Sequence, residues 1–257
     1  MITAYHRPQT LDEALTLLTQ PNTLPLGGGT LLSKPTTDSV QVVDLQALGL
    51  DSLSKNGNNL ELGATLTLQT LLESEHCPAP LKTALKLEAP LNIRNSATIA
   101  GALVACDGRS TFASMLLAMD AKLTVISNQS SVIGIGEFLP LRPRGLITSI
   151  TIPLNIKLAF EYVSRTPADK PIVCAALAQW NSGRTRLVLG GYGKSPMLAM
   201  NGSEADGADT STSDYVLRSV QAAARNTYHE ATDEWASAEY RVDVAATLAK
   251  RCLESMQ

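Results

Sequence analysis

Leu26-Gly27-Gly28-Gly29-Thr30-Leu31 is the stretch on which the fold assignment depends. The extended residues 23–26 lead into it and the apolar residues 40–45 follow it, which predicts two strands joined through a glycine-rich loop. Consecutive glycines let successive backbone N–H groups point into one concavity, as in anion-binding loops, and Thr30 adds a hydroxyl donor. A tight turn without a ligand has the same pattern, so the loop alone leaves both interpretations open.

A helix is predicted before this loop. Thr10-Leu11-Asp12-Glu13 is a capping box, in which the Thr10 hydroxyl and the Glu13 carboxylate each satisfy a free backbone N–H. Apolar residues then recur at helical spacing until Pro21 ends the pattern: Leu11, Ala14, Leu15 and Leu18. We therefore expect a small α/β unit at the N-terminus.

A second candidate loop lies about 70 residues further along the sequence. It reads Ile93-Arg94-Asn95-Ser96-Ala97-Thr98-Ile99-Ala100-Gly101-Ala102 and shows no regular periodicity. Its small residues would let a planar ring or a pyrophosphate approach the backbone closely. A buried connection in which Arg94 only binds carbonyl groups would have the same composition, so this alternative also stays open.

The remaining chain shows clear patterns of regular structure. Strands are predicted at residues 60–63, 123–126, 132–135 and 146–152, and an apolar helix at 111–119. Past a junction at Pro153, three antiparallel strands are expected at residues 159–165, 173–180 and 186–192. A polar loop at 201–213 and two helices complete the chain.

Composition excludes several classes of protein. There are 21 Lys and Arg against 24 Asp and Glu, with no basic run, which excludes a broad nucleic-acid-binding face. No apolar stretch approaches the ~18 residues of a membrane span, and the N-terminus lacks a signal-peptide core, so we expect a cytoplasmic protein. The cysteines include no CxxC pair, which excludes a local zinc or iron–sulfur site: Cys77, Cys106, Cys174 and Cys252. We assign no metal ligand and no catalytic side chain.

Short blocks along the whole chain fall in one family's order and spacing. They include the GGGT loop and the following segments: Tyr5-His6-Arg7-Pro8, Val43-Asp44-Leu45, Leu62-Gly63-Ala64, Ile93-Arg94-Asn95-x-x-Thr98-Ile99, Leu116-Leu117-Ala118-Met119-Asp120-Ala121, Leu189-Gly190-Gly191 and Ala236-Ser237-Ala238-Glu239-Tyr240-Arg241. The sequence resembles the FAD-binding medium subunit of molybdenum hydroxylases, the family of the carbon monoxide dehydrogenase and xanthine dehydrogenase flavoproteins. The resemblance extends over essentially the whole chain.

This resemblance implies an α+β fold of the PCMH type. Two α/β subdomains, residues 1–55 and 56–155, would bind FAD between them, and residues 156–257 would add a three-stranded antiparallel sheet with helices. The implied cofactor-binding residues are Gly27, Gly28, Gly29, Thr30 and Leu31 around the pyrophosphate, Thr98, Ile99, Ala100, Gly101 and Ala102 facing them, and Thr111. The implied partners are a large subunit with the molybdenum cofactor and a small 2Fe-2S subunit, and the flavin would pass electrons to an external acceptor.

Three positions depart from the family's usual pattern. The second loop usually reads Thr-Ile-Gly-Gly-Asn, whereas Ala100 and Ala102 stand here, and Thr111 replaces a usual Asp. Each lost hydrogen bond is worth about 0.5–1.5 kcal/mol, so weaker FAD binding is expected. The alternative function is therefore a divergent subunit that keeps the fold and a docking role but binds FAD weakly or not at all.

Overall fold

The computed structural model of the chain describes residues 1–34, 37–127, 129–202 and 213–256. Within this part the chain divides into two compact units, each formed from several sequence segments. The first unit comprises residues 1–76, 91–105 and 122–151, and the second comprises 77–90, 106–121 and the chain from 152 onward. The sequence-based division at residues 55 and 155 stays a prediction. In the structure two segments of the predicted central subdomain, residues 77–90 and 106–121, belong to the same unit as the C-terminal region.

A three-stranded parallel sheet opens the first unit. Its strands are β1 (Ile2–His6), β2 (Thr23–Leu26) and β3 (Val40–Asp44), in the order β1-β3-β2. Helix α1 (Leu11–Leu18) packs Ala14 against Val43 and Leu45. The predicted cap is confirmed: the Thr10 hydroxyl accepts from the Glu13 N–H, and the Glu13 carboxylate accepts from the N–H of Gln9.

A five-stranded sheet forms the rest of the first unit. Its strands, in the order β4-β5-β8-β6-β7, are β4 (Leu53–Asn56), β5 (Asn59–Gly63), β6 (Lys122–Ile126), β7 (Ser130–Gly134) and β8 (Leu146–Pro153). The helices of this unit are α2 (Leu68–Glu73), α4 (Leu91–Arg94), α5 (Ile99–Ala105) and α7 (Ile135–Leu141). Helices α4 and α5 lie in the stretch that showed no periodicity, because each is too short to display two full turns of pattern.

The second unit contains a four-stranded antiparallel sheet between two layers of helices. Its strands are β9 (Ile156–Val163), β10 (Val173–Trp180), β11 (Thr185–Gly190) and β12 (Met197–Gly202), in the order β12-β11-β10-β9. Helices α8 (Ser213–Thr227) and α9 (Ala238–Glu254) cover one face. Helices α3 (Ala79–Glu88) and α6 (Thr111–Ala118) pack on the other.

The fourth strand corrects the expectation of a three-stranded C-terminal sheet. Strand β12 pairs with β11 through a register shift at Leu187 and Val188, and the alternation of half-buried and exposed residues along β12 is that of an edge strand. The polar loop predicted at 201–213 is replaced at Asn201 and Gly202 by the end of β12. Its residues 203–212 lie outside the described part of the chain.

Candidate functional site

The glycine loop leaves the end of β2 and is fixed at both sides by backbone hydrogen bonds. The N–H of Leu45 donates to the carbonyl of Leu26 over 3.0 Å, and the N–H of Ser33 donates to the carbonyl of Gly29 over 2.9 Å. Gly29 has φ of +69°, a left-handed conformation that favours glycine. The loop is thus held by its flanks while its centre stays free of secondary structure.

Five consecutive backbone donors in this loop have no protein acceptor. Within the described residues, nothing accepts a hydrogen bond from the N–H groups of Gly27, Gly28, Gly29, Thr30 or Leu31. The Thr30 hydroxyl likewise has no partner in that part of the chain. Because residues 27–30 are only half-buried and Leu31 is exposed, these donors are accessible to water or to a ligand. The loop can therefore bind an anion with several acceptor oxygens.

The two sequence-predicted loops lie against each other within the first unit. A Cβ on Gly28 would overlap the carbonyl oxygen of Ser96, and a Cβ on Gly27 would lie 2.7 Å from Oγ1 of Thr98. The structure thus brings residues 27–28 and 96–98 together. That residues 27–31 and 98–102 bind one FAD molecule stays a prediction. The contact with Ser96 leaves no room for a side chain at position 28. The sequence alone does not show whether a glycine is needed for such a contact within the protein or for close approach of a ligand.

The second loop is tied to the segment that precedes α2. The N–H of Leu68 donates to the carbonyl of Ala97, and the N–H of Ile99 donates to the carbonyl of Leu66, both over 2.9 Å. The N–H of Ala100 donates to the carbonyl of Ala64 over 3.2 Å. These bonds place the loop firmly beside β5, so its backbone is a fixed wall for the glycine loop.

The donors of this second loop are mostly used within the chain. Besides Ile99 and Ala100, Gly101 donates its N–H to the Thr98 hydroxyl over 3.2 Å, and Ala102 donates to the Thr98 carbonyl over 2.8 Å. The side chain of Ile99 is fully buried and anchors this loop in the core, whereas Gly101 is exposed. Among the described residues of the two loops, the unused backbone donors therefore lie mainly at residues 27–31, whereas residues 98–102 form a shaped backbone wall.

Thr111 belongs to the second unit, whereas the two loops belong to the first. It is fully buried, and its hydroxyl donates to the Ala84 carbonyl over 2.7 Å and lies 3.2 Å from Oε2 of Glu88. The same carboxylate accepts from the Ser110 hydroxyl and from the N–H of Phe112, both over 2.9 Å. Glu88 was missed by the sequence analysis because it lies more than twenty residues before the helix that it caps, and no local motif links the two. The assignment of Thr111 to the cofactor stays a prediction.

The four cysteines lie in the described part of the chain, are buried and form no disulfide bond there. Burial raises the pKa of Cys77 and of Cys174 to about 12, and burial also raises the pKa of Cys252. Such thiols stay protonated near neutral pH and are poor nucleophiles. Among the described residues no cluster of His, Cys, Asp and Glu could bind a metal ion, and no helix there is long and apolar enough to span a membrane.

Family models account for nearly the whole chain. Residues 1–155 match the FAD binding domain in molybdopterin dehydrogenase, and residues 158–256 match the CO dehydrogenase flavoprotein C-terminal domain. The uncharacterized protein YgfM of Escherichia coli K12 is 31% identical over 196 residues, which cover 74% of this chain and 75% of YgfM. The carbon monoxide dehydrogenase medium chain of Afipia carboxidovorans is 24% identical over 97% of this chain and 95% of that protein.

The fold is also that of a solved structure. Reconstituted CO dehydrogenase from Oligotropha carboxidovorans superimposes with a TM-score of 0.80 at 24% identity, over 98% of this chain and 96% of that chain. At this identity the match establishes the fold, while the family models and the YgfM alignment establish kinship. The free donors of the glycine loop fit the phosphates of the cofactor that the first family model names. The chain therefore belongs to the family of FAD-binding medium subunits of molybdenum hydroxylases.

Proposed function

We propose that this chain binds the FAD pyrophosphate at residues 27–31 and that the flavin passes electrons from a partner's 2Fe-2S cluster to an external acceptor. The observation that carries the proposal is the run of five backbone donors at residues 27–31 for which the described part of the chain offers no acceptor, together with the Thr30 hydroxyl in the same run. Several N–H groups converging on one anion give both affinity and orientation, since charge-assisted bonds are the strong ones.

The two loops have different roles in this proposal. Residues 27–31 donate to the phosphate oxygens, and Thr30 adds its hydroxyl. The contact of Gly28 with Ser96 holds the second loop at a fixed distance, and Ile99 anchors that loop in the core. The bound flavin would supply the redox chemistry itself, so the chain's own residues bind, position and shield.

The chain acts, in this proposal, as one subunit of a larger cytoplasmic assembly. Its relative in Afipia carboxidovorans is named as a medium chain, which supports a hetero-oligomer with other chains. By the family resemblance those chains are a large subunit with the molybdenum cofactor and a small subunit with 2Fe-2S clusters. No metal-binding cluster was found among the described residues of this chain, so we assign the clusters to the partner subunits.

The alternative, a docking subunit with weak FAD binding, is favoured by a different observation. Four of the five N–H groups of residues 98–102 are used within the chain, and Ala102 has no polar side chain. The buried hydroxyl of Thr111 is directed at Ala84 and Glu88. On this alternative the fold and the partner contacts persist while the flavin site has lost affinity.

Titration of the flavin-free chain with FAD, followed by flavin fluorescence, separates the two functions. The electron-transfer proposal predicts saturable binding with competition by ADP, which shares the pyrophosphate. Thr30→Val should weaken FAD about tenfold or more, because it removes one hydroxyl donor to a charged phosphate. Thr83→Val, which removes an exposed hydroxyl bonded to Ala79 on α3, is the matched control and should change nothing. Absence of binding by the folded wild-type chain would establish the docking alternative instead.

A further inference from the structure

Strand β9 is a long and regular sheet edge. Its eight residues, Ile156–Val163, pair with β10 without any register shift. In the described part of the chain no strand pairs with its other side, since β9 ends the order β12-β11-β10-β9. A row of backbone donors and acceptors on this side is therefore available to another strand.

Most other edges of the described sheets are blunted in ways that usually prevent strand addition. Strand β1 has five residues and a register shift, β2 has four residues and contains Pro25, and β12 carries a register shift beside it. Strands β4 and β7 are short, with four and five residues. Short length, proline and irregular pairing are the common protections of an edge, and β9 has none of them.

The side chains of β9 are charged in a self-complementary pattern. Lys157 and Glu161 point to the same face, because they are four residues apart on a strand. Neither forms an ion pair within the described chain; Lys157 donates only to the carbonyl of Met256, over 3.3 Å. On the opposite face lie apolar side chains, of which Phe160 and Tyr162 stack with ring centroids 6.0 Å apart.

We propose that two copies of this chain pair through β9, antiparallel and about a two-fold axis at Ala159. In that register Lys157 of each copy faces Glu161 of the other, so two ion pairs form. Leu158 then faces Phe160, and Ile156 faces Tyr162, which closes an apolar row on the opposite side. Directly opposed pairs of these kinds stabilise antiparallel sheets.

Neighbouring registers lack this complementarity. With the axis at Leu158, Lys157 would face Ala159, and with the axis at Phe160 it would face Val163. Only the axis at Ala159 pairs both charges while matching apolar residues with apolar residues, so the side chains select one register. The arrangement is isologous, as expected for a closed dimer. A single strand pair is a small interface, so the dimer should dissociate on dilution.

Sedimentation velocity on the 257-residue chain, from about 1 to 100 µM, tests the proposal over the range of a weak dimer. The wild-type chain should show a concentration-dependent dimer. Lys157→Glu and Glu161→Lys each place like charges opposite one another twice, so each variant alone should dimerise at least about tenfold more weakly. An equal mixture of the two variants should associate again, because every Glu then faces a Lys.

Two further samples complete the design. The double variant Lys157→Glu with Glu161→Lys restores both ion pairs in reverse and should dimerise like the wild type. Lys55→Glu, a charge reversal at the exposed edge strand β4, is the matched control and should leave dimerisation unchanged. A wild-type chain that stays monomeric over the whole range, single variants that dimerise unchanged, or a mixture that stays monomeric would each overturn the proposal.

Discussion

At the scale of single residues, Gly28 and Ser96 determine how closely the two loops of the candidate site approach. The position that a Cβ of Gly28 would take is filled by the Ser96 carbonyl, which is backbone and cannot rotate away. Residue 96 is in turn held near the turn of α4, because its N–H donates to the carbonyl of Ile93 over 3.0 Å. A side chain at position 28 must therefore separate the loops.

We predict that Gly28→Ala lowers the free energy of unfolding by about 1–3 kcal/mol, the usual cost of forcing an extra methyl group into a packed site. FAD affinity should fall with it, because the phosphate donors shift away from Thr98. Thermal unfolding and flavin titration measure the two effects. Gly134→Ala is the control, since a Cβ there meets nothing within 4 Å; at this N-cap of α7 the change should cost less than about 1 kcal/mol. Equal stability of the two variants would show that the loops do not touch as described.

At the scale of elements, helix α6 is fixed at both ends by side chains from other segments. All eight of its residues, Thr111–Ala118, are buried. The Glu88 carboxylate of α3 accepts from the N–H of Phe112 in its first turn, and Arg186 of β11 donates to the carbonyl of Leu117 over 3.0 Å. Asp120 pairs with both Arg184 and Arg186, at 2.9 and 3.0 Å. Burial lowers the pKa of Arg186, which Asp120 opposes by stabilising the charged form.

Asp120→Asn should lower the free energy of unfolding by about 2–3 kcal/mol. The loss of a fully buried partner would cost somewhat more, because a third of the Asp120 side chain is exposed. The substitution leaves the buried charge of Arg186 without a counter-ion, while asparagine tolerates the φ of +56° at this position. Chemical denaturation gives the value. Asp243→Asn breaks an exposed pair with Arg225 and should cost less than about 1 kcal/mol. Equal costs for the two variants would contradict the anchoring role of Asp120.

The same elements show what the sequence could predict. The cap of α1, the strands predicted at residues 123–126 and 173–180 and the loop that follows β2 are local patterns, and the structure confirms them. Strand β1 was missed because only its pairing with β3, more than thirty residues away, stabilises Thr3 and His6 in a strand. The cap of α6 by Glu88 and the contact of Gly28 with Ser96 are likewise tertiary and leave no local signal. Whether the N–H groups of residues 27–31 find an acceptor in the described chain also depends on the tertiary structure. The run of glycines only suggested that these groups are available to a ligand.

At the scale of the whole molecule, the second unit is not a continuous piece of sequence. Its sheet residues Ala176, Ala178 and Val188 have no exposed surface, and helix α6, which packs on β10 and β11, comes from residues 106–121. Helix α3, which packs on α6 and β9, comes from residues 77–90. The boundary between the two family models near residue 156 therefore does not coincide with a boundary of packing.

We expect residues 156–257 expressed alone to lack a stable tertiary structure. Without α3 and α6 one apolar face of the sheet meets water, and Arg186 loses both the Leu117 carbonyl and Asp120, so burial of that guanidinium has no compensation. The measurement is near-ultraviolet circular dichroism together with binding of a hydrophobic dye. A matched fragment that joins residues 77–90, 106–121 and 152–257 through glycine-serine linkers keeps every segment of the unit and should regain a cooperative unfolding transition. If the shorter fragment folds as cooperatively as the longer one, helices α3 and α6 are dispensable to the sheet, and the C-terminal domain is independent after all.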